Sequence, residues 1–159
     1  MFLYLAQHGD AKREEEDPLR PLSDKGIEDV KKVASFISGL DIEVEEVFHS
    51  GKLRARQTAE ILIQNLKATK GPSETYGLAP LDDPKTWAEK LKTQSNSIML
   101  VGHLPHLGKL ASLLISGDTE KSLIAFKMGG VVCLKRDDTG AWSLQWMITP
   151  EIMVKYHKT

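Results

Sequence analysis

Phe2-Leu3-Tyr4-Leu5 runs directly into Ala6-Gln7-His8-Gly9-Asp10-Ala11, so a histidine and then a glycine stand where a buried strand ends and the chain turns. In open α/β sheets, ligands bind in the crevice outside the carboxyl ends of the strands, so an imidazole there faces a site rather than the core. The arrangement occurs twice. Ile98-Met99-Leu100-Val101 leads into Gly102-His103-Leu104-Pro105, a second apolar strand that delivers a histidine at its exit. A single histidine after a strand is ordinarily a surface or capping residue; two with the same placement predict one shared crevice.

Outward from these two strands, helix and strand patterns alternate. Lys12 to Arg20 is charged, contains Pro18 and reads as an exposed loop over the strand end. Ser23 can cap a helix in which Ile27, Val30, Ala34 and Ile37 recur at spacings of three and four, with Gly39 placed to end it. Val44 to Phe48 reads as a second strand ending at His49-Ser50. Ser50 is expected to cap a helix through Leu66, with Leu53, Leu62 and Leu66 facing the core. Lys67 to Pro84 reads as irregular, with one short strand near Glu74 to Tyr76. Trp87 and Leu91 mark a helix that ends before Ser95-Asn96, and a further helix runs from about Pro105 to Ile115. Ile124 to Lys127, Val131 to Lys135 and Trp142 to Met147 read as strands, the last two joined by a turn at Asp137-Asp138-Thr139-Gly140. This order predicts a three-layer α/β/α domain over residues 1–159, with a mainly parallel sheet and an antiparallel C-terminal edge hairpin.

Composition narrows the function classes. The chain has 159 residues, 41% hydrophobic and 27% charged, which suits one domain with a full core. A formal net charge of −1 and a pI of about 6.5 predict no nucleic-acid or membrane partner, so any bound anion needs local basic groups. Cys133 is the only cysteine, so neither an intrachain disulfide nor a zinc spacing is expected. No apolar run approaches the roughly 20 residues of a membrane span, and a cytoplasmic protein without cofactor is expected.

Arg54 is the candidate local cation. It falls in the first turn of the helix after the second strand, where its guanidinium and the unpaired backbone N–H groups can face an anion. Thr58 shares its helix face, and Ser50 can add a hydroxyl. The alternative is a solvated helix surface, since Lys52 and Arg56 are basic too.

Gln7-His8-Gly9-Asp10-Ala11, Arg20-Pro21-Leu22-Ser23 with Gly26, Ser50 followed by Leu53-Arg54-Ala55-Arg56-Gln57-Thr58, and Gly102-His103-Leu104-Pro105 resemble, in this order, the motifs of the histidine phosphatase superfamily. Within it the chain is similar to the short SixA-type phosphohistidine phosphatases. The resemblance implies a phosphoglycerate mutase-like fold and a metal-independent phosphatase that works through a phosphohistidine intermediate. His8 is then the nucleophile, Arg54 a phosphate clamp, and His103 a second clamp or hydrogen-bond donor. Gln7, Gly9, Arg20 and Ser50 are candidate substrate-binding residues. Asp10 is the candidate general acid, and Asp82 and Asp83 lie in a segment able to border the site. His49, His106 and His157 have no comparable placement. The implied substrate is a phosphorylated protein carrying phosphohistidine, with inorganic phosphate as product; a small phosphate ester is the alternative.

One position departs from the family pattern. Gln7 stands where the signature has arginine, and glutamine brings neither the positive charge nor the bidentate fork. Losing a transition-state donor costs roughly 2.7–4 kcal/mol in other sites, so reduced activity is expected. A catalytically weakened phosphate- or phosphoprotein-binding module is the reading from another class.

Overall fold

The computed structural model describes residues 1–153. Its elements are β1 (Phe2–Gln7), α1 (Asp24–Ile37), β2 (Glu43–His49), α2 (Leu53–Ile63), β3 (Lys67–Glu74), α3 (Pro84–Thr93), β4 (Ile98–Gly102), α4 (His106–Ser116), β5 (Val131–Arg136) and β6 (Trp142–Ile148). The strands form one sheet in the order β3-β2-β4-β1-β5-β6. β3, β2, β4 and β1 are parallel; β5 is antiparallel to β1, and β6 to β5.

The alternating pleat explains the layers. In β1, Tyr4 and Ala6 join a core with Val30, Val33 and Ile37 of α1 and Ala55, Ala59 and Leu62 of α2. Leu3 and Leu5 point the other way, into a second core with Trp87 and Leu91 of α3 and Leu107 and Leu110 of α4. All five residues of β4 are buried, as its uninterrupted apolar run requires when helices cover both faces. Full burial of each such Leu or Val side chain contributes about 1.5–3 kcal/mol.

The same arrangement opens the crevice. β1 and β4 are neighbours, yet the chain leaving β1 reaches α1 on one face and the chain leaving β4 reaches α4 on the other. Such a reversal leaves a gap at the carboxyl ends of the two strands.

Several local expectations are corrected. Gly39 does not end the first helix: a 3-10 turn over Ser38–Leu40 carries the chain on, and Asp41 takes the left-handed conformation with φ 55°. Aspartate tolerates that region because its short polar side chain bonds locally. Ser50 does not cap α2, whose N-cap is Lys52; the helix stops at Ile63, short of Leu66. Lys67 to Glu74, expected to be irregular, is the edge strand β3. A sheet edge tolerates its Gly71-Pro72 pair, because the outward N–H needs no ladder partner. Ile124 to Lys127 is not a strand. Phe126 drops into the α3/α4 core, so this apolar pattern reflects burial without pairing.

The C-terminal hairpin closes as expected, the Asp137 carboxylate accepting from Thr139 N and Ala141 N. Cys133 is buried in β5, and desolvation pushes its thiol pKa up to about 11. Among the described residues no helix is long and apolar enough to cross a membrane.

Candidate active site

Sheet register brings the site together. Gln7 pairs with Gly102 and His49 with Val101, so His8, His103 and Ser50 leave three adjacent strands at the same end. His8 N donates to Gly102 O at 3.0 Å. Gly129 N closes the other side of the turn on Gln7 O at 3.0 Å and His8 O at 3.2 Å.

The His8 ring has a defined tautomer. Nδ1 lies 2.7 Å from Gly9 O. A carbonyl only accepts, so Nδ1 carries the proton and Nε2 keeps its lone pair. Burial lowers the His8 pKa below its ordinary value; the Arg54 and Arg20 charges act in the same direction, while Gly9 O and Asp10 oppose them. The ring is therefore neutral near pH 7.

The His103 ring centroid lies 4.9 Å from that of His8. His103 is 1% exposed, and its Nε2 lies 2.7 Å from Ser50 Oγ. Its pKa is pushed down to about 3, first by burial and then by His8, Arg54, Lys52 and His106. Of the two expected states of this residue, charged or neutral, the environment selects the neutral one.

Arg54 is the second residue of α2, and its Nε is buried without a partner. Burial and then the Arg20 charge lower its pKa. Arginine nonetheless stays cationic in proteins, so Arg54 puts positive charge beside both histidines. Arg20 sits on the preceding loop in the left-handed region, at φ 48°, with Nε donating to Lys12 O at 3.2 Å. Its charge bears on both His8 and Arg54, which places it at the rim.

Partnerless atoms gather at these strand ends. Among the described residues, the buried side-chain nitrogens and oxygens without a hydrogen bond are Gln7 Oε1, Arg54 Nε, His103 Nδ1 and both ring nitrogens of His106. Gln7, Arg54 and His103 are the crevice residues themselves, and His106 follows three positions after His103. Buried polar groups are nearly always paired, so Gln7 Oε1, Arg54 Nε and His103 Nδ1 are left free to bond a polar group from outside the chain.

One contact anchors the His8 turn to α2 and two more brace its surroundings, and the sequence assigned none of them. Gly9 N donates to Thr58 Oγ1 at 3.0 Å, Thr58 Oγ1 donates to Arg54 O at 2.8 Å, and Gln57 Oε1 accepts from Leu22 N at 2.7 Å. Thr58 is fully buried. The signal was its position four residues after Arg54, on the face turned to the strand ends. Two glycines permit the close packing. A Cβ on Gly26 would stand 2.0 Å from Asp10 O, and one on Gly9 2.8 Å from Val30 Cγ2.

The remaining candidates lie further out. Asp10 Oδ2 accepts from the Ser23 hydroxyl at 2.6 Å, which puts the carboxylate at the start of α1. Asp82 Oδ2 accepts from Ala79 N, and Asp83 caps α3. His49 Nδ1 accepts from Gly51 N, and His157 lies outside the described residues. The assembled groups are one uncharged imidazole with a free lone pair, a guanidinium and a second neutral imidazole beside it, a set suited to attack on an oxyanionic centre.

Comparison with known proteins shows the family and the fold. Residues 3–76 match the family model described as histidine phosphatase superfamily (branch 1). The phosphohistidine phosphatase SixA of Escherichia coli (strain K12) is 27% identical over 155 residues, 94% of each chain. An uncharacterized protein of Picosynechococcus sp. is 36% identical over 142 residues, 85% of each chain. The solved structure of the protein histidine phosphatase SixA complexed with tungstate superposes with a TM-score of 0.80 at 27% identity, covering 94% of this chain and 97% of that one.

Proposed function

Since the chain belongs to the histidine phosphatase superfamily and is a phosphatase by that membership, we propose that it hydrolyses phosphohistidine on a protein through a covalent intermediate at His8. The observation that carries this reading is the 2.7 Å contact between His8 Nδ1 and Gly9 O, which leaves Nε2 as the unprotonated nucleophile between Arg54 and His103.

In the first step Nε2 attacks phosphorus and the P–N bond of the substrate breaks. The departing imidazole needs a proton only on its distal nitrogen, which faces away from the phosphoryl group and takes it from solvent. This substrate therefore needs no buried acid, consistent with an Asp10 carboxylate already engaged by Ser23. Asp10 remains the candidate acid for an ester, whose alkoxide leaves less readily.

Phosphorylated His8 retains its Nδ1 proton, so the ring carries a positive charge that Gly9 O stabilises. That charge makes His8 a good leaving group when water attacks, and phosphate departs with the neutral ring restored. Arg54 clamps the equatorial oxygens, while the Gln7 amide, His103 and the Gly9 turn line the pocket, and Arg20 meets the oxyanion at the rim. Side chains and the Gly9 carbonyl carry the charge-stabilising roles, so the proposed reaction needs no metal. The whole chain acts as one domain in the cytoplasm.

Gln7 favours one second reading, a binding module with little turnover, because it removes a cation from the phosphoryl pocket. The test offers a protein phosphorylated on histidine by phosphoramidate, and an aryl phosphate, each with and without chelator. Faster release from the phosphoprotein, unaffected by chelator, is expected. Preference for the aryl ester, or binding of phosphate without release from either substrate, would overturn the reading.

A further inference from the structure

Ser50 is the first side chain beyond the end of β2; it is half-buried, and its hydroxyl does not cap α2. Ser50 Oγ lies 2.7 Å from His103 Nε2 and accepts from Lys52 N at 3.3 Å. The Ser50 hydroxyl can donate to His103 Nε2 while its oxygen accepts from the Lys52 amide. In that arrangement Nδ1 carries the ring proton, and Nδ1 is the atom that is buried without a partner.

We propose that Ser50 is a positioning residue that holds His103 as its neutral Nδ1–H tautomer, so that Nδ1 donates to the oxyanion bound at His8. The proposal rests on the reading of this crevice as a phosphoryl site. Its basis is geometric. The ring centroids are 4.9 Å apart, and with Nε2 engaged by Ser50 the ring nitrogen left free to meet an oxyanion on His8 is Nδ1, where a lone pair would repel it. The relay from Lys52 N–H through Ser50 Oγ–H to Nε2 prevents that arrangement.

The groups facing His103 act against a charged alternative. His8 from the β1 turn, Arg54 and Lys52 from the start of α2, and His106 from α4 all disfavour a proton on both nitrogens, as does burial itself. The donor is therefore uncharged in the free protein throughout the neutral range.

The test is nitrogen NMR of the full chain labelled at histidine, with the His103 signals assigned by their loss in His103→Gln. Tungstate titrations accompany it. The wild type is expected to show Nδ1 protonated and Nε2 bare at pH 7. Ser50→Ala is expected to mix the tautomers and weaken tungstate about tenfold, the value of one lost hydrogen bond near 1.4 kcal/mol. Ser50→Thr, which retains the hydroxyl, restores both.

An Nε2–H tautomer or an imidazolium in the wild type overturns the proposal, as does an unchanged tautomer in Ser50→Ala. Should Ser50→Ala lose its fold, the wild-type spectrum alone decides. Because the tautomer is read in the free protein, the result is independent of whether His8 becomes phosphorylated. Failure of the proposed function and failure of this relay are therefore separate outcomes.

Discussion

Thr58→Val is the substitution that most sharply separates the turn that holds His8 from the groups that react. Valine matches threonine in shape and replaces the hydroxyl with a methyl, so the packing of this fully buried position is kept. Two hydrogen bonds disappear, and they are unequal. Arg54 O lies in the first turn of α2 and also faces the backbone N–H four residues on, so losing the 2.8 Å back-bond from Thr58 costs little. Gly9 N, by contrast, loses its 3.0 Å acceptor in a buried position. An unsatisfied buried N–H costs about 1–3 kcal/mol, so a destabilisation of about 2 kcal/mol is expected. The Gly9 peptide should then relax away from α2 and take the His8 ring with it, since Gly9 O is the acceptor for Nδ1. Urea unfolding measures the first effect, and the single-turnover rate of His8 phosphorylation the second, which should fall at least tenfold. Thr58→Ser retains the oxygen and should keep most of the rate. A valine variant within about 0.5 kcal/mol of wild type and equally fast would show that this bond does not position the nucleophile.

Gln7→Arg should raise the single-turnover phosphorylation rate about tenfold or more, near 1.4 kcal/mol of transition-state stabilisation, by adding a charged fork beside the phosphoryl oxygens; an equal or lower rate in a folded variant would mean the pocket is adapted to glutamine. His106→Leu removes two buried, partnerless ring nitrogens and should stabilise the fold by about 1–3 kcal/mol in denaturant melts. Burial lowers the folded-state pKa of His106, so the unfolded chain binds more protons below pH 6.5 and stability declines as pH falls through that value. The leucine variant should flatten this decline, and an unchanged slope would assign it to other groups. The phosphorylation rate itself should hold as pH falls through 6.5 and drop only below it, because the lowered pKa keeps Nε2 unprotonated there; half-loss at or above 6.5 would contradict the burial argument.

Most of the architecture was legible because the signals were local. The apolar runs before His8 and His103 mark strands whose exits lie side by side, and Ser23 caps α1 as its position implies. What failed were the elements whose pattern is set by their surroundings. β3 is polar and contains Gly71-Pro72 because one side has no neighbour, so periodicity had nothing to detect. Ile124 to Lys127 shows the reverse case, where Phe126 is apolar to fill a core and pairs with no strand.

The site divides in the same way. The candidates His8, His103, Arg54 and Arg20 stood out in the chain because each sits at an element end or in a motif. The contacts from Thr58 to Gly9, Gln57 to Leu22 and Ser50 to His103 join segments 49, 35 and 53 residues apart, and only the folded chain brings them together. Ser50 illustrates the point. One helical cap was the local reading of a serine before a helix, and the tertiary structure gave its hydroxyl to an imidazole.

The central claim is that His8 Nε2 takes the phosphoryl group. Its most direct measurement is the intact mass of the protein quenched within one turnover of phosphoramidate or an aryl phosphate, followed by acid treatment and peptide mapping. The account predicts one acid-labile phosphoryl group on the peptide containing His8, absent from His8→Ala. A phosphoryl group retained in the alanine variant, or turnover by the wild type with His8 never modified, would contradict it.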